Sequence, residues 1–225
     1  MTRPVTDPAR VQRVIDRLVR EGVAVARLDG RTHTLFPVAI DAAEGVALRD
    51  RVVREAAVHT IEIGLGYGLS ALHICAALLT VADGAARHVV VDPHQARRFS
   101  DLGLQVLADA GVAHLIEHHP QDSALALPQL LAAGRRFDAA FVDGNHRFDG
   151  VFVDLVHLGR LVRPAGIVFL DDYQLPAVAR AAAFFVNNLA WTIEEVSPPH
   201  PLHRWAVLRT SSAPDNRAFD HFIDF

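Results

Sequence analysis

A chain of 225 residues, 51% of them hydrophobic, is long enough to bury the core of one α/β domain, and nothing in its composition calls for a second. The formal net charge of −4, with 26 acidic and 22 basic residues, gives no broad positive surface for nucleic acid or for an anionic membrane. The single cysteine, Cys75, excludes an internal disulfide, and no apolar run approaches the ~20 residues that span a bilayer, so a cytoplasmic protein without a membrane partner is expected.

The N-terminal part of the chain is predicted to be mainly helical. An apolar face that includes Val11 and Ile15 indicates a helix over residues 8–20, and a second helix is predicted over 42–55. Between them, residues 28–40 carry a proline within an apolar stretch and are expected to be irregular. The first residues lack the apolar core of a signal peptide, which agrees with a cytoplasmic location.

From residue 58 onward, strand-like apolar runs alternate with helix-like segments. The predicted strands cover residues 58–63, 87–92, 113–118, 137–142, 166–170, 191–196 and 203–209. The predicted helices cover about 69–82, 96–110, 123–134, 149–163 and 175–189. Because buried parallel strands read as continuous apolar runs, this alternation predicts a Rossmann-like, doubly wound α/β sheet. The proline-rich residues 197–201 are expected to turn a closing hairpin.

Three alternating glycines, Gly64, Gly66 and Gly68, follow the first strand of this sheet. Glycine permits a sharp turn and close approach of a ligand to the backbone, and the N–H groups of the next helix then face any anion above the turn. The pattern favours a nucleoside-bearing cofactor, with a plain strand-to-helix turn as the alternative. Leu69 stands where the dinucleotide fingerprint needs a small residue, which argues against NAD or FAD. His73, in the helix that follows, is expected to pack against the sheet.

Acidic residues follow nearly every predicted strand, namely Glu62, Asp92, Asp122, Asp143, Asp171 and Asp172. Ligands of such sheets bind outside the carboxyl ends of the strands, so these side chains are expected to lie near one site. Asp92 suits a ribose, because a carboxylate accepts hydrogen bonds from both hydroxyl groups.

A metal site is predicted at the last of these acids. Asp143, Asp171 and Asp172 offer the hard oxygen ligands that Mg²⁺, Mn²⁺ or Ca²⁺ prefer. The alternative is that Asp143 opens a turn and Asp172 caps a helix. Because neighbouring residues of a strand face opposite sides, Asp171 and Asp172 reach one ion only if the strand has ended at Asp171.

These residues together resemble a known family. The segments at 62–68, 91–93, 141–146 and 169–173 are similar to successive motifs of class I S-adenosylmethionine-dependent methyltransferases. The similarity is greatest to small bacterial methyltransferases and to the metal-dependent catechol-type and macrolide-sugar O-methyltransferases, and it covers roughly residues 56–209. It implies a seven-stranded sheet with the last strand antiparallel.

The resemblance also implies an organisation within one domain. Residues 1–56 would form a helical segment that shapes the acceptor pocket, and 57–209 would form the methyltransferase domain. Residues 210–225 would form a tail that is either loose or packed on a partner subunit. The aromatic residues at the end of this tail are compatible with a homodimer.

The resemblance further implies which residues bind S-adenosylmethionine. They are Gly64, Gly66, Tyr67, Gly68 and Ser70 at its methionine end, Asp92 at the ribose, Pro93, His94, Asp122 and Ser123 at the adenine, and Glu62 and Asp143 as further contacts.

Two departures from the catechol-type enzymes concern the reaction. Those enzymes carry asparagine where this chain has Asp172, and a lysine base where it has His146. A magnesium ion on the three aspartates would hold an acceptor oxygen opposite the methyl group, and His146 would take its proton. The alternative for His146 is a solvated or structural ring. Arg147 beside it keeps its proton in proteins.

The predicted function is therefore metal-assisted O-methylation of a small-molecule hydroxyl, with S-adenosylmethionine as cofactor. Three alternatives stay open: a metal-independent methyltransferase, an NAD-type oxidoreductase, and a non-catalytic module that only binds the cofactor. No nucleic-acid partner is expected.

Overall fold

A seven-stranded sheet organises the structure, a computed structural model that describes residues 7–81 and 84–225. Its strands are β3 (His59–Ile63), β4 (Arg87–Val91), β5 (Ile116–His119), β6 (Phe137–Val142), β7 (Val162–Leu170), β8 (Thr192–Val196) and β9 (Ala206–Arg209), and a separate hairpin consists of β1 (Val23–Val25) and β2 (Thr32–Thr34). The helices are α1 (Pro8–Glu21), α2 (Ala42–Arg54), α3 (Leu69–Val81), α4 (Gln95–Arg98), α5 (Leu102–Asp109), α6 (Ser123–Ala132), α7 (Phe148–Leu161) and α8 (Pro176–Leu189). Residues 1–6, where the predicted N-terminal segment begins, and position 82, where a helix was predicted to end, lie outside the described residues.

The strand order is β5-β4-β3-β6-β7-β9-β8, and β9 runs antiparallel to both of its neighbours. The predicted doubly wound sheet with an antiparallel last strand is thereby confirmed. The chain order reverses at β3, which pairs with β4 on one side and β6 on the other. Sheets of this kind bind ligands in the crevice at such a reversal, beyond the carboxyl ends of the strands.

Helices cover both faces of the sheet. Consecutive apolar residues of each strand point to opposite faces, and each face therefore needs a covering layer. Phe141 and Phe169 face a core shared with α1, α2, α3 and α5, whereas Val142 and Leu170 face a core shared with α6, α7 and α8. In the part of the chain that the structure describes, no helix is long and apolar enough to cross a membrane.

The predicted helix over 96–110 is in fact two helices. Ser100 and Asp101 have positive φ angles of 50° and 56°, which end α4 before α5 begins. The Asp101 amide donates to the Gln95 carbonyl, and the buried Gln95 side chain donates to the Gly66 carbonyl. Contacts across the sheet edge therefore override a locally continuous helical pattern.

The other differences lie at element boundaries and in one missed hairpin. The predicted strand over 113–118 opens as a short 3₁₀ turn and becomes strand only at Ile116. Strand β7 begins at Val162, four residues before its predicted start. Strand β2 lies in the region that was predicted to be irregular, and β1 lies before that region and was not predicted, because strands of three residues carry almost no periodic signal.

The C-terminal tail packs on its own chain. The Asn188 side chain donates to the Ile223 carbonyl (2.8 Å) and accepts from the Ile223 amide (2.7 Å). The Phe225 ring lies 5.2 Å from that of Phe184 and 6.3 Å from that of Phe148. The end of the tail is thus held by α7 and α8, while Phe219 remains fully exposed.

His73 packs against α2 rather than against the sheet. A Cβ atom placed on Gly45 would lie 2.3 Å from His73 Nε2, so the glycine leaves room for the ring. Neither ring nitrogen has a hydrogen-bond partner among the described residues. Burial, reinforced by the charge of Arg49, lowers the pKa of His73 to about 4.

This buried imidazole makes the fold sensitive to acid. Because the folded state keeps His73 neutral while the unfolded chain protonates near pH ~6.5, the free energy of unfolding should fall as the pH drops from ~6.5 towards 4. The loss expected from this group is roughly 2–3 kcal/mol. Urea unfolding of a His73→Leu variant should show a flatter pH dependence, and the exposed His59→Leu should keep the wild-type slope. Equal slopes for all three proteins would contradict the assignment.

Candidate active site

A cavity of about 580 Å³ opens beyond the carboxyl ends of β3, β4, β6 and β7. Its size lies within the range of small-molecule sites. The sequence-predicted residues that line it are Gly64, Gly66, Asp92, Pro93, His94, Asp122, Ser123, Asp143, His146, Asp171 and Asp172. Distant parts of the chain therefore meet at the expected place in the sheet.

Four predicted cofactor residues, Glu62, Tyr67, Gly68 and Ser70, are not part of the cavity lining. The Glu62 carboxylate is fully buried and lies 3.3 Å from His88 Nε2. The Tyr67 ring packs edge-on against Phe99. These residues support the floor of the turn from behind.

The glycine turn is shaped by two different constraints. Gly64 has a φ of 90°, and a Cβ atom there would lie 2.0 Å from the Asp143 carbonyl oxygen. Gly66 has a φ of 51°, but its nearest neighbour would be a Val38 methyl group at 3.9 Å. Gly64 is thus required by the fold, whereas Gly66 leaves open space at the cavity.

The Asp92 carboxylate clamps this turn. Its Oδ2 atom accepts hydrogen bonds from the Leu65 amide (3.0 Å), the Gly66 amide (3.1 Å) and Gln95 Nε2 (2.8 Å). Its Oδ1 atom accepts from the His94 amide (2.7 Å). Since each carboxylate oxygen offers about two acceptor sites, Oδ1, which has one donor, keeps roughly one site for a ribose hydroxyl, whereas the sequence predicted two such hydrogen bonds.

The other end of the cavity is acidic and is centred on His146. Its Nε2 atom lies 3.2 Å from Asp143 Oδ1, and its Nδ1 atom lies 3.0 Å from Asp172 Oδ2. Hydrogen bonds to Asp143 and Asp172 raise the pKa of His146 to about 10. At neutral pH the ring would therefore be positively charged and paired with both carboxylates. From the sequence, a histidine with the ordinary pKa of ~6.5 was expected.

The two consecutive aspartates lie just beyond the end of a strand, and their side chains have different partners. Strand β7 ends at Leu170, Asp171 faces Glu44 on α2, and Asp172 turns to His146 with a φ of 54°. Within the described chain, ligand atoms of Asp143, His146 and Asp172 all lie within 4.8 Å of one another. Asp171, a predicted metal ligand, lies outside that group although it lines the cavity.

Glu44 is the residue that sequence reasoning missed. Its side chain is only 1% exposed, and its carboxyl group forms a hydrogen-bonded pair with that of Asp171. Burial, followed by the charges of Asp171 and Asp143, raises the pKa of Glu44. The sequence signal was ambiguous, because Asp41 and Glu44 have the spacing of a helix capping box and the Asp41 side chain does accept from the Glu44 amide (2.8 Å).

The rest of the cavity wall comes from outside the motifs. Pro37 and Val38, of the N-terminal segment, and Leu202 and His203, of the β8–β9 connection, line the cavity together with the cations Arg98 and Arg147. Single residues in irregular segments carry no periodic signal, so the sequence did not identify them.

Comparisons with known proteins agree with this architecture. The family described as "Methyltransferase domain" matches residues 61–173. Tricin synthase 2 from Oryza sativa subsp. japonica is 34% identical over 149 residues, which are 65% of this chain and 48% of that protein. The chain therefore spans about half the length of this curated relative.

Solved structures show the same fold. The O-methyltransferase TomG from Streptomyces achromogenes, in complex with SAM, has a TM-score of 0.66 at 23% identity, over 92% of both chains. The O-methyltransferase from Bacillus cereus, in complex with SAH, has a TM-score of 0.67 at 13% identity, over 92% of this chain and 93% of that one.

Proposed function

The chain belongs to the family of methyltransferase domains, and from this membership we propose that it catalyses S-adenosylmethionine-dependent O-methylation of a small-molecule hydroxyl with the help of a divalent cation such as Mg²⁺. One observation carries the proposal: a single cavity holds both the clamped glycine turn and the acidic group around His146. The family membership argues against the NAD-type oxidoreductase.

The cofactor is proposed to lie along the glycine turn. The absence of a side chain at Gly66 would let the cofactor approach the backbone of the turn. Asp92 Oδ1 can still accept one hydrogen bond, from a ribose hydroxyl. Pro93 and His94 would contact the adenine face, while Asp122 and Ser123 would contact its edge. TomG and the Bacillus cereus enzyme are described in complexes with SAM and SAH, which supports the choice of cofactor.

The acidic group suits a divalent cation. Asp143 and Asp172 offer carboxylate oxygens close to an imidazole nitrogen, and the buried Asp171 adds a further carboxyl group to the same cavity. Without a cation, the ion pairs that the described structure gives Asp143 and Asp172 are both to His146. A divalent cation bound there would lower the pKa of an acceptor hydroxyl and hold it in place.

His146 is proposed to take the proton of that hydroxyl as the oxygen receives the methyl group. The ring is the basic group placed directly between Asp143 and Asp172, where an acceptor would be held. In the free site these two carboxylates keep the ring protonated. A cation held by them would compensate their charge, so that the ring would be neutral before the transfer and able to take the proton. Asp143 would therefore serve both the cation and the base.

The N-terminal segment is proposed to shape the acceptor pocket. Pro37 and Val38 reach the cavity from this segment, and Leu202 lines the same cavity from the β8–β9 connection. Apolar walls beside a polar reacting centre favour an aromatic acceptor with a phenolic hydroxyl. The relative named tricin synthase 2 makes a phenolic acceptor the first class to test.

Calorimetric titration with S-adenosylmethionine, followed by methyl transfer to a panel of catechols and flavonoids, tests the proposal. With Mg²⁺ we expect micromolar cofactor binding and turnover, and with EDTA we expect turnover to fall at least about 10²-fold. Equal rates in both buffers would indicate the metal-independent alternative. Cofactor binding without methylation of any acceptor would favour the non-catalytic module, and absence of binding would overturn the proposal.

A further inference from the structure

The connection between β8 and β9, residues 197–205, forms one side of the cavity, which it lines with Leu202 and His203. Within the connection, His200 Nδ1 accepts hydrogen bonds from the Leu202 amide (3.3 Å) and the His203 amide (3.0 Å). The His200 and His203 rings are also stacked, with their centroids 5.6 Å apart. Leu202 and His203 are therefore held together as one unit, which we call the acceptor wall.

Hydrogen bonds tie this wall to a short segment that follows β7. Among the described residues, the hydrogen bonds that join 197–205 to the chain outside the connection all involve Tyr173 or Gln174. The Tyr173 amide donates to the Arg204 carbonyl (2.6 Å). Gln174 Nε2 donates to the Leu202 carbonyl (3.1 Å), and the Arg204 amide donates to Gln174 Oε1 (3.0 Å). The Gln174 side chain thus contacts the wall on both sides of His203.

The same side chain also reaches the acidic end of the cavity. Gln174 Nε2 donates to Asp172 Oδ1 (2.6 Å), while Asp172 Oδ2 lies 3.0 Å from His146 Nδ1. Both donors of the amide nitrogen and an acceptor site of the amide oxygen are therefore in use. A flipped amide would turn its oxygen towards two acceptors, so only one orientation of Gln174 fits. One amide group joins the acceptor wall to a carboxylate of the group that suits a cation.

We propose that Gln174 is a positioning residue that fixes the acceptor wall relative to Asp172, so that a cation held by Asp172 also holds the wall more firmly in place. The inference rests on the proposed function. Gln174 is not part of the cavity lining, so it acts through Asp172 and Leu202 without touching the acceptor. Carboxylates that ligate a metal are oriented by hydrogen-bonded partners of this kind, and loss of such a partner weakens metal binding.

Hydrogen exchange of residues 198–204 tests the link without an acceptor or a methyl-transfer assay. Saturating Mn²⁺ should slow this exchange about 5–10-fold in the wild type, because cation binding and the order of the wall are coupled. Gln174→Leu keeps much of the side chain and removes all three hydrogen bonds. We expect faster exchange in this variant without a cation and no response to saturating Mn²⁺. Its Mn²⁺ affinity, from the paramagnetic resonance signal of the free ion, should fall about 10-fold.

The matched control is Gln12→Leu. Gln12 Nε2 also donates to an aspartate, Asp16 Oδ1 (2.8 Å), but on the exposed face of α1 and outside the cavity lining. This variant loses a hydrogen bond of the same chemical kind, and we expect wild-type exchange of 198–204 and wild-type Mn²⁺ affinity.

The outcomes separate this inference from the function on which it rests. A wild-type Mn²⁺ response in Gln174→Leu, or a wild type that binds Mn²⁺ without slower exchange, would overturn the link and leave the cation site intact. A wild type that binds no Mn²⁺ would overturn the cation site together with the link.

Methylation of a phenolic acceptor separates positioning from a general structural role. Gln174→Leu should raise the KM for the acceptor about 10-fold, while the affinity for S-adenosylmethionine stays at the wild-type value. An equal loss of S-adenosylmethionine affinity, or a melting temperature in EDTA far below that of the wild type, would show a structural role instead.

Discussion

Replacing His146 with alanine should lower kcat by about 10²–10⁴-fold while S-adenosylmethionine still binds. The ring lies between Asp143 and Asp172, at the acidic end of the cavity and away from the glycine turn, so its removal takes away the proposed base without disturbing the turn. Single-turnover methylation of a phenolic acceptor measures the chemical step, and calorimetry measures cofactor affinity. Added imidazole should restore part of the activity if the ring accepts a proton.

A second measurement distinguishes a base from a metal ligand, because His146 also belongs to the group that suits a cation. If the ring is the base, Mn²⁺ affinity should change little in His146→Ala. If it is a ligand, Mn²⁺ affinity should fall with turnover, and imidazole should restore both. The control is His157→Ala, a histidine of α7 outside the cavity lining, which should keep wild-type turnover. Full activity of His146→Ala would remove both roles.

Gly64→Ala should destabilise the fold by about 3 kcal/mol or more. The new methyl group would meet the Asp143 carbonyl oxygen at 2.0 Å, and the backbone there has a φ of 90°, which alanine avoids. Because the obstacle is backbone at the junction of β3 and β6, neither strand can shift without losing sheet hydrogen bonds. The midpoint of urea unfolding gives the stability change.

The matched variant is Gly66→Ala, whose methyl group meets nothing closer than 3.9 Å. Its φ of 51° costs alanine only about 1–2 kcal/mol. The new methyl group would reduce the space at the cavity, so this variant should lose cofactor affinity more than stability. Equal destabilisation by the two substitutions would show that the contact with Asp143 does not control the turn.

Much of the fold was predictable because its signals are local and repeated. Continuous apolar runs such as 137–142 identified the buried strands, and the glycines at 64–68 identified the turn between β3 and α3. The break between α4 and α5 was not predictable, because Ser100 and Asp101 adopt positive φ angles without a glycine, and Gln95 beside them contacts Gly66 across the site. Propensity within a window of residues carries no information about that contact.

The candidate site was predictable in part for the same reason. The sheet rule brought Asp92, Asp143 and Asp172 to one cavity, as the sequence indicated. The sequence made it a condition that the strand end at Asp171, and the structure ends β7 one residue earlier, so that Asp171 and Asp172 line the same cavity. Glu44 could not be assigned, because nothing in its local pattern separates a helix cap from a buried carboxyl group beside Asp171, more than a hundred positions away.

The Asp92 clamp has a consequence for how the cavity meets its ligand. The Leu65 and Gly66 amides donate to this carboxylate, and Gln95, which also donates to it, holds the Gly66 carbonyl, so the turn is already ordered in the free chain. The conformational entropy of the glycines is therefore lost during folding and does not have to be lost again on association. A preorganised turn of this kind favours rapid entry of the ligand, because no loop has to close before the first contacts form.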